Sequence, residues 1–318
     1  MNRHAAAVAG GAATPEERLQ ALLTELLTPI RSSFSDVGIF VNPPDDVELL
    51  DASTLLDPLV LRATLERFSP QVGTDDLRIV GVHWLGQLGY ALLPPIEIAL
   101  SGAGIGLDAS LRNLLIVQPD GKPTQIALRD TGGTFYDPER CPDPALLEEI
   151  GTPLGSHAAV RDMMLRMLYT HNLIPLVNAI IDLTGVPPQA IWGQIAYEGD
   201  LFYGAQERKA PETHDAVWES DRAAMFASRT WSAAQGENPL YAPTRLVLRP
   251  HPETGEPREV KIRSTCCLIY KVPNARMCSG CPLRGKHDLV REKLATVDER
   301  RAVMAAGGGG AGGEGGAT

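Results

Sequence analysis

"TRLVLRPHPETGEPREVKIRSTCCLIYKVPNARMCSGC", residues 244–281, carries two alternating runs that end in a cluster of thiols. Arg245, Val247 and Arg249 alternate with Leu246 and Leu248, and Glu259, Lys261 and Arg263 alternate with Val260 and Ile262. A period of two is that of strands, so each run has one apolar and one more polar face. The pattern predicts a hairpin that delivers the chain into Cys266, Cys267, Cys278 and Cys281, four of the chain's five cysteines. Neighbouring side chains on an extended strand point to opposite faces, so Cys266 and Cys267 can reach one small site only where the backbone bends. The Pro and Asn of "VPNARM" supply a turn that brings the second pair back.

The missing spacer in the first pair discriminates between metals. Structural zinc usually takes two C-x(2–4)-C pairs. A two-iron cluster presents a wider target and takes four cysteines. The reading is a 2Fe-2S site on these four residues, with a zinc ion stapling the hairpin for protein binding as the rival. Cys141 stands alone in "ERCPDPALLEE" and reads as an uninvolved thiol.

Upstream, Thr14, Pro15 and Glu17 predict a capped helix start, followed by Leu19, Leu22, Leu23, Leu26, Leu27 and Ile30 at helical spacing. A second helix begins at Asp57-Pro58. A third runs from about Asp75 to Leu93, where Pro94-Pro95 stops or kinks it. "NLLIVQPDGKPTQIALRD" reads as a hairpin around Asp120-Gly121. Helical patterning resumes at Ser156 and restarts behind Pro187-Pro188, and a further helix is expected over about 212–235. Met163, Met164 and Met167 fall at helical spacing and read as core. "GAGIG" at 102–106 lacks the full G-x-G-x-x-G and reads as a loop. The expected fold is α+β, helix-rich with antiparallel hairpins. Disordered tails are expected at 1–13 and 302–318. Between them lie a helical region with a hairpin at 14–150, a possible wall of a substrate cleft, and helices plus the cysteine-bearing hairpin at 151–301.

The chain has 318 residues, 44% of them hydrophobic, enough for a substantial core. A net charge of -10 argues against nucleic acid as a partner. The apolar stretch "LRIVGVHWLGQLGYALLPPIEIAL" is interrupted by Arg78, His83, Gln87 and Glu97, so no membrane span is expected. The first residues lack a secretory pattern, which leads to a cytoplasmic expectation. In that reducing compartment clustered cysteines hold metal or do chemistry rather than form disulfides. The seven histidines show no ligand spacing.

At these residues the sequence resembles the FhuF-like ferric-siderophore reductases, whose mark is a C-terminal C-C-x10-C-x2-C holding a 2Fe-2S cluster. All four positions match. "HNLIPLVNAIIDLTGVPPQAIWGQIA", residues 171–196, is similar to the helix pair ending in Trp-Gly that precedes the cysteines in that family, with Gln194 where the family more often has Asn. The resemblance covers about a third of the chain. It implies one-electron reduction of a ferric siderophore, favoured as a hydroxamate type. No flavin or nicotinamide motif is present, so the electron would come from a separate donor such as a ferredoxin or an NAD(P)H-dependent reductase. A redox or iron sensor using the same cluster is a further reading.

Between Lys261 and Lys286 there are six basic residues, Lys261, Arg263, Lys271, Arg276, Arg284 and Lys286, and no acidic one. They read either as a solvated face offsetting the negative charge of the cluster or as a docking surface for an anionic donor or ferric complex. Trp192 and Tyr197 read as core aromatics, or as side chains packed near the cluster or a ligand.

Overall fold

A computed structural model describes residues 13–30, 37–41, 43, 46–209, 215–231, 236–250, 254–273, 275–278 and 280–283. Apart from Ala13, the two expected tails lie outside these residues, as do Arg284 and Lys286.

Helix α1 (Pro15–Leu27) starts on the expected capping box, in which the Thr14 hydroxyl and the Glu17 carboxylate each accept the other's backbone N–H. It buries Leu19, Leu23 and Leu27, one face of the helix. Strands β1 (Ile39–Phe40) and β2 (Leu49–Asp51) lead to α2 (Pro58–Val72), capped by Asp57 and ended by Gly73 at φ 81°. Helix α3 (Leu77–Ala103) is capped by Asp76 and continues through Pro94-Pro95 to a left-handed stop at Gly104. The expected end near Leu93 is thus corrected. Proline removes backbone donors and disfavours the interior of a helix by about 3 kcal/mol. Every residue from Ala91 to Ser101 is buried, and burying a single Leu or Ile gains about 2 kcal/mol, so packing outweighs propensity.

After β3 (Ile105–Gly106), the hairpin of β4 (Leu114–Val117) and β5 (Gln125–Leu128) forms as expected, with Asp120 and Gly121 both at positive φ. The two short flanking strands complete a sheet in the order β1-β5-β4-β2, in which β1 runs parallel to β5. β6 (Thr134–Tyr136), α4 (Pro144–Ile150) and β7 (Gly151–Pro153) follow, with β3-β6-β7 forming a second sheet.

Helix α5 (His157–Leu165) runs into a π-helical stretch, Arg166–Leu173, and then into α6 (Ile174–Thr184). Within the wide turn the His171 carbonyl accepts the N–H of Leu111, and the Asn172 amide donates to the Ala109 carbonyl at 2.6 Å. Helix α7 (Pro188–Lys209) lies along α3. Helix α8 covers Ala216–Phe226, shorter than the expected 212–235. The chain then turns into β8 (Thr230–Trp231), paired with β9 (Gly236–Glu237). Asn238 makes that turn, its amide donating to the carbonyls of Met225 and Ser228.

β10 (Thr244–Pro250) and β11 (Pro257–Arg263) pair antiparallel in register Thr244↔Arg263 to Pro250↔Pro257. The fold is therefore α+β, with two parallel strand pairs that the sequence did not announce. One buried cluster runs from Leu19 in α1 through α3, α6 and α7 to Cys267. Met164 lies in it, with Met163 and Met167 against its edge. Among the described residues no helix is long and apolar enough to cross a membrane.

Candidate metal centre

The chain leaves β11 and bends where the cysteine pair requires. Leu268 sits at φ 64°, left-handed for a residue with a side chain, and a 3-10 turn over Ile269–Lys271 follows. The bend lets the Leu268 N–H donate to Cys266 Sγ at 3.4 Å. The second pair returns on a tight turn in which the Cys281 N–H donates to the Cys278 carbonyl at 3.1 Å. A 2.8 Å bond from the Arg263 N–H to the Gly280 carbonyl ties this turn to the end of β11.

All four thiols are free; Cys267 and Cys281 are buried, while Cys266 and Cys278 are partly exposed. Cys267 and Cys278 share a hydrogen bond, which holds the Cys267 thiol below its ordinary pKa and pushes Cys278 above it. Burial raises Cys266, which feels the charges of Cys267 and Cys281. Among the described residues no three His, Cys, Asp or Glu side chains stand placed to hold a single metal ion. The donor set fits an iron–sulfur group by its chemistry: four free sulfurs within electrostatic reach of one another, two facing inward and two partly outward.

Behind the thiols lies a polar layer drawn from distant parts of the chain. His83 Nε2, from α3, is 3.2 Å from the Cys267 carbonyl. Gln194 and Glu198, from α7, bond to each other at 2.7 Å. Arg263 is buried, its guanidinium donating to Gln194 Oε1 and lying 4.5 Å from the centre of the Tyr197 ring. Burial pushes the Glu198 carboxyl up to about 7, against the opposing pull of Arg263. Tyr197 thus supports the centre through Arg263, the second of the roles expected for it.

The Trp-Gly element has a direct structural reason. A Cβ on Gly193 would fall 1.6 Å from Thr265 Oγ1, so only glycine lets the residue before Cys266 rest on α7. About two and a half turns into α3, Gly86 makes similar room for Gln194.

The expected basic surface divides. Arg263 is corrected from a surface role: it is buried and engaged with Gln194 and Tyr197. Lys261 is exposed but paired with Asp200 at 2.5 Å. Burial works to raise the Asp200 carboxyl, yet hydrogen bonds from Lys261 and Arg222 hold it below its ordinary value. Lys271 and Arg276 are exposed beside the cysteines in the chain. Cys141 is buried in the β6–α4 connection, its thiol pushed up by burial.

Fold and donor set together define a helix-rich α+β protein with a C-terminal four-cysteine centre. Residues 82–254 match the family described as ferric iron reductase FhuF-like transporter, and residues 263–283 match the FhuF 2Fe-2S C-terminal domain. The first match alone spans more than half of the chain, which belongs to this FhuF-like ferric iron reductase family and carries its 2Fe-2S domain. No curated protein matches. Among solved structures, aerobactin synthetase IucA from a hypervirulent pathotype of Klebsiella pneumoniae is similar at 13% identity and TM-score 0.52, over 72% of this chain and 49% of its own. The ATP-bound form of that enzyme gives 13% identity and TM-score 0.51, over 74% and 50%. The chain spans about half the length of these structures, and the likeness is one of fold.

Proposed function

We propose that the protein reduces siderophore-bound Fe(III) to Fe(II) by one electron, with Cys266, Cys267, Cys278 and Cys281 as the ligands of its 2Fe-2S cluster. The observation that carries this reading is the set of four free thiols inside the matched 263–283 domain. When bound, the cluster supplies one-electron chemistry. Siderophores offer hard oxygen ligands that hold ferric iron far better than ferrous, so one electron loosens the metal.

The chain's own groups set the conditions for transfer. The Leu268 N–H bonded to Cys266 Sγ and the buried Arg263 guanidinium both favour extra negative charge at the sulfurs, which raises the reduction potential. The partly exposed Cys266 and Cys278 leave the centre near the surface, where exchange with other molecules is short-range. We assign the electron source to a separate anionic donor, a ferredoxin or an NAD(P)H-dependent reductase, docking on exposed Lys271 and Arg276 in the cytoplasm. The hydroxamate type of siderophore is our preferred substrate.

Iron and acid-labile sulfide analysis with EPR of the dithionite-reduced protein tests the cofactor ligands when repeated on each Cys→Ser variant. Stopped-flow mixing of the reduced protein with ferric hydroxamates tests the reaction. Two irons, two sulfides and rapid oxidation are expected. A colourless protein holding one zinc would sink the ligand assignment, and a cluster that ferric complexes leave reduced would point to another acceptor.

A further inference from the structure

A cleft of about 340 Å3 opens between the first turns of α7, with Pro188, Gln189, Trp192 and Gly193, and the facing residues Tyr241 and Thr265. Thr265 immediately precedes Cys266, and consecutive Cα atoms stand about 3.8 Å apart. Whatever rests against Thr265 therefore lies one residue along the chain from the first cysteine of the centre. Among the described residues the lining includes no charged side chain.

The cleft is held open by fixed parts. Ala242, between Tyr241 and β10, sits at φ 49°, a left-handed conformation uncommon for alanine. Its N–H donates to the Phe226 carbonyl at 2.8 Å, and its carbonyl accepts the Ser264 hydroxyl at 2.6 Å. The Ser264 N–H donates to the Pro243 carbonyl at 2.8 Å, so the wall and the strand entering the cysteines are one unit. The Arg229 guanidinium lies 4.7 Å from the centre of the Tyr241 ring, and Tyr241 keeps 39% of its surface exposed. Preformed, mostly apolar concavities with a few polar groups are the usual seats of small molecules, and a volume near the low end of their range, about 300–1,000 Å3, takes one face of a bulky ligand.

We propose that this cleft seats the ferric siderophore and that it takes an electrically neutral complex. Three hydroxamate groups cancel the charge of Fe(III), whereas three catecholates leave a trianion. Lined by no charged residue among those described, the cleft would strip water from that trianion while the nearby Arg229 guanidinium is engaged over the Tyr241 ring. The proposal rests on the reductase reading, and its test separates the two.

The gallium(III) complex of a trihydroxamate siderophore, which cannot be reduced under these conditions, is titrated into the oxidised holoprotein and followed by calorimetry. Tyr241→Ala and Gln189→Glu, both at exposed positions, should each weaken binding roughly tenfold while leaving the visible spectrum of the cluster unchanged. A gallium tricatecholate should bind at least tenfold more weakly than the trihydroxamate to the native protein. No gallium trihydroxamate binding to the native protein, or equal binding by both variants, overturns the site; equal affinity for the tricatecholate overturns the selection by charge. Gallium binding lost in the variants, with no ferric reduction by the native protein, would keep the site and sink the reductase reading. Ferric reduction by native protein that both variants retain at full rate would do the reverse.

Discussion

Helix α3 and the terminal hairpin treat apolar residues in opposite ways. From Ala91 to Ser101 every α3 residue is buried, including Glu97, whose carboxyl has no hydrogen-bond partner among the described residues. On β10, by contrast, Leu246 and Leu248 are 63% and 71% exposed. The first region is held by area removed from water. The second is a two-stranded hairpin, marginal on its own, anchored by a few polar links: Arg263 to Gln194 and Gly280, His83 to the Cys267 carbonyl, and Lys261 to Asp200. The difference leads to the expectation that the core forms without the metal, whereas the cysteine loop depends on its ligands.

The largest test of that division is Cys267→Ser. It should abolish the EPR signal of the reduced protein and ferric reduction with it, while far-UV circular dichroism keeps the helical signal. Loss of the helices as well would show that the two regions fold as one. On the core side, Trp84 is fully buried and its indole N–H donates to the Gly121 carbonyl at 3.2 Å. Trp84→Ala should cost about 3–5 kcal/mol in urea unfolding, and a loss below about 1 kcal/mol would remove α3 from its central role.

Gly193→Ala acts at the seam between the regions. The added methyl must displace Thr265, at a cost of about 1–3 kcal/mol, and iron content per chain should fall with circular dichroism unchanged. Full iron loading would mean that the loop gives way freely.

Glu97 tests how dry the core is. Burial, reinforced by Asp200 and Asp221, holds its carboxyl well above 4.5, so the folded protein keeps a proton that the unfolded chain loses. The stability it lends is complete below about 4.5 and drains as pH rises toward the folded value, by about 1.4 kcal/mol per pH unit. Glu97→Gln should flatten that slope between pH 5 and 7, read from urea midpoints; an unchanged slope would mean that Glu97 ionises in the fold. The smallest effect is expected from Arg263→Gln, which removes a buried positive charge and should lower the cluster potential by roughly 50 mV. A rise in potential in a redox titration would contradict the electrostatic role given to Arg263.

Much of the secondary structure was legible because it is local. The Thr14–Glu17 box, the Asp57-Pro58 start and the Asp120-Gly121 turn all act within a few residues, and each formed as read. Pro94-Pro95 misled because a helix buried on all sides is stabilised by neighbours that sequence does not order. The strands Ile39–Phe40 and Leu49–Asp51 are too short to show a period, and exist because β4 and β5 offer them edges. At the centre, the thiol spacing was visible, but His83, Gln194 and Glu198 were not recognised as its surroundings. They lie on two helices remote in sequence, and the one local clue was Gly193, a glycine inside a helix where close approach is the usual reason.

By itself the sequence determined the chemistry of the donor set: four thiols, two of them adjacent, in a stretch free of acidic residues. Ligand type and spacing are properties of the chain and survive any folding. Only the tertiary structure decided which cation lies beneath those thiols and which stay at the surface. Arg263 and Lys261 are two residues apart on one strand, yet α7 buries the first against Tyr197 and pairs the second with Asp200. Burial and partnership arise from elements that meet across the fold, and no local pattern encodes them.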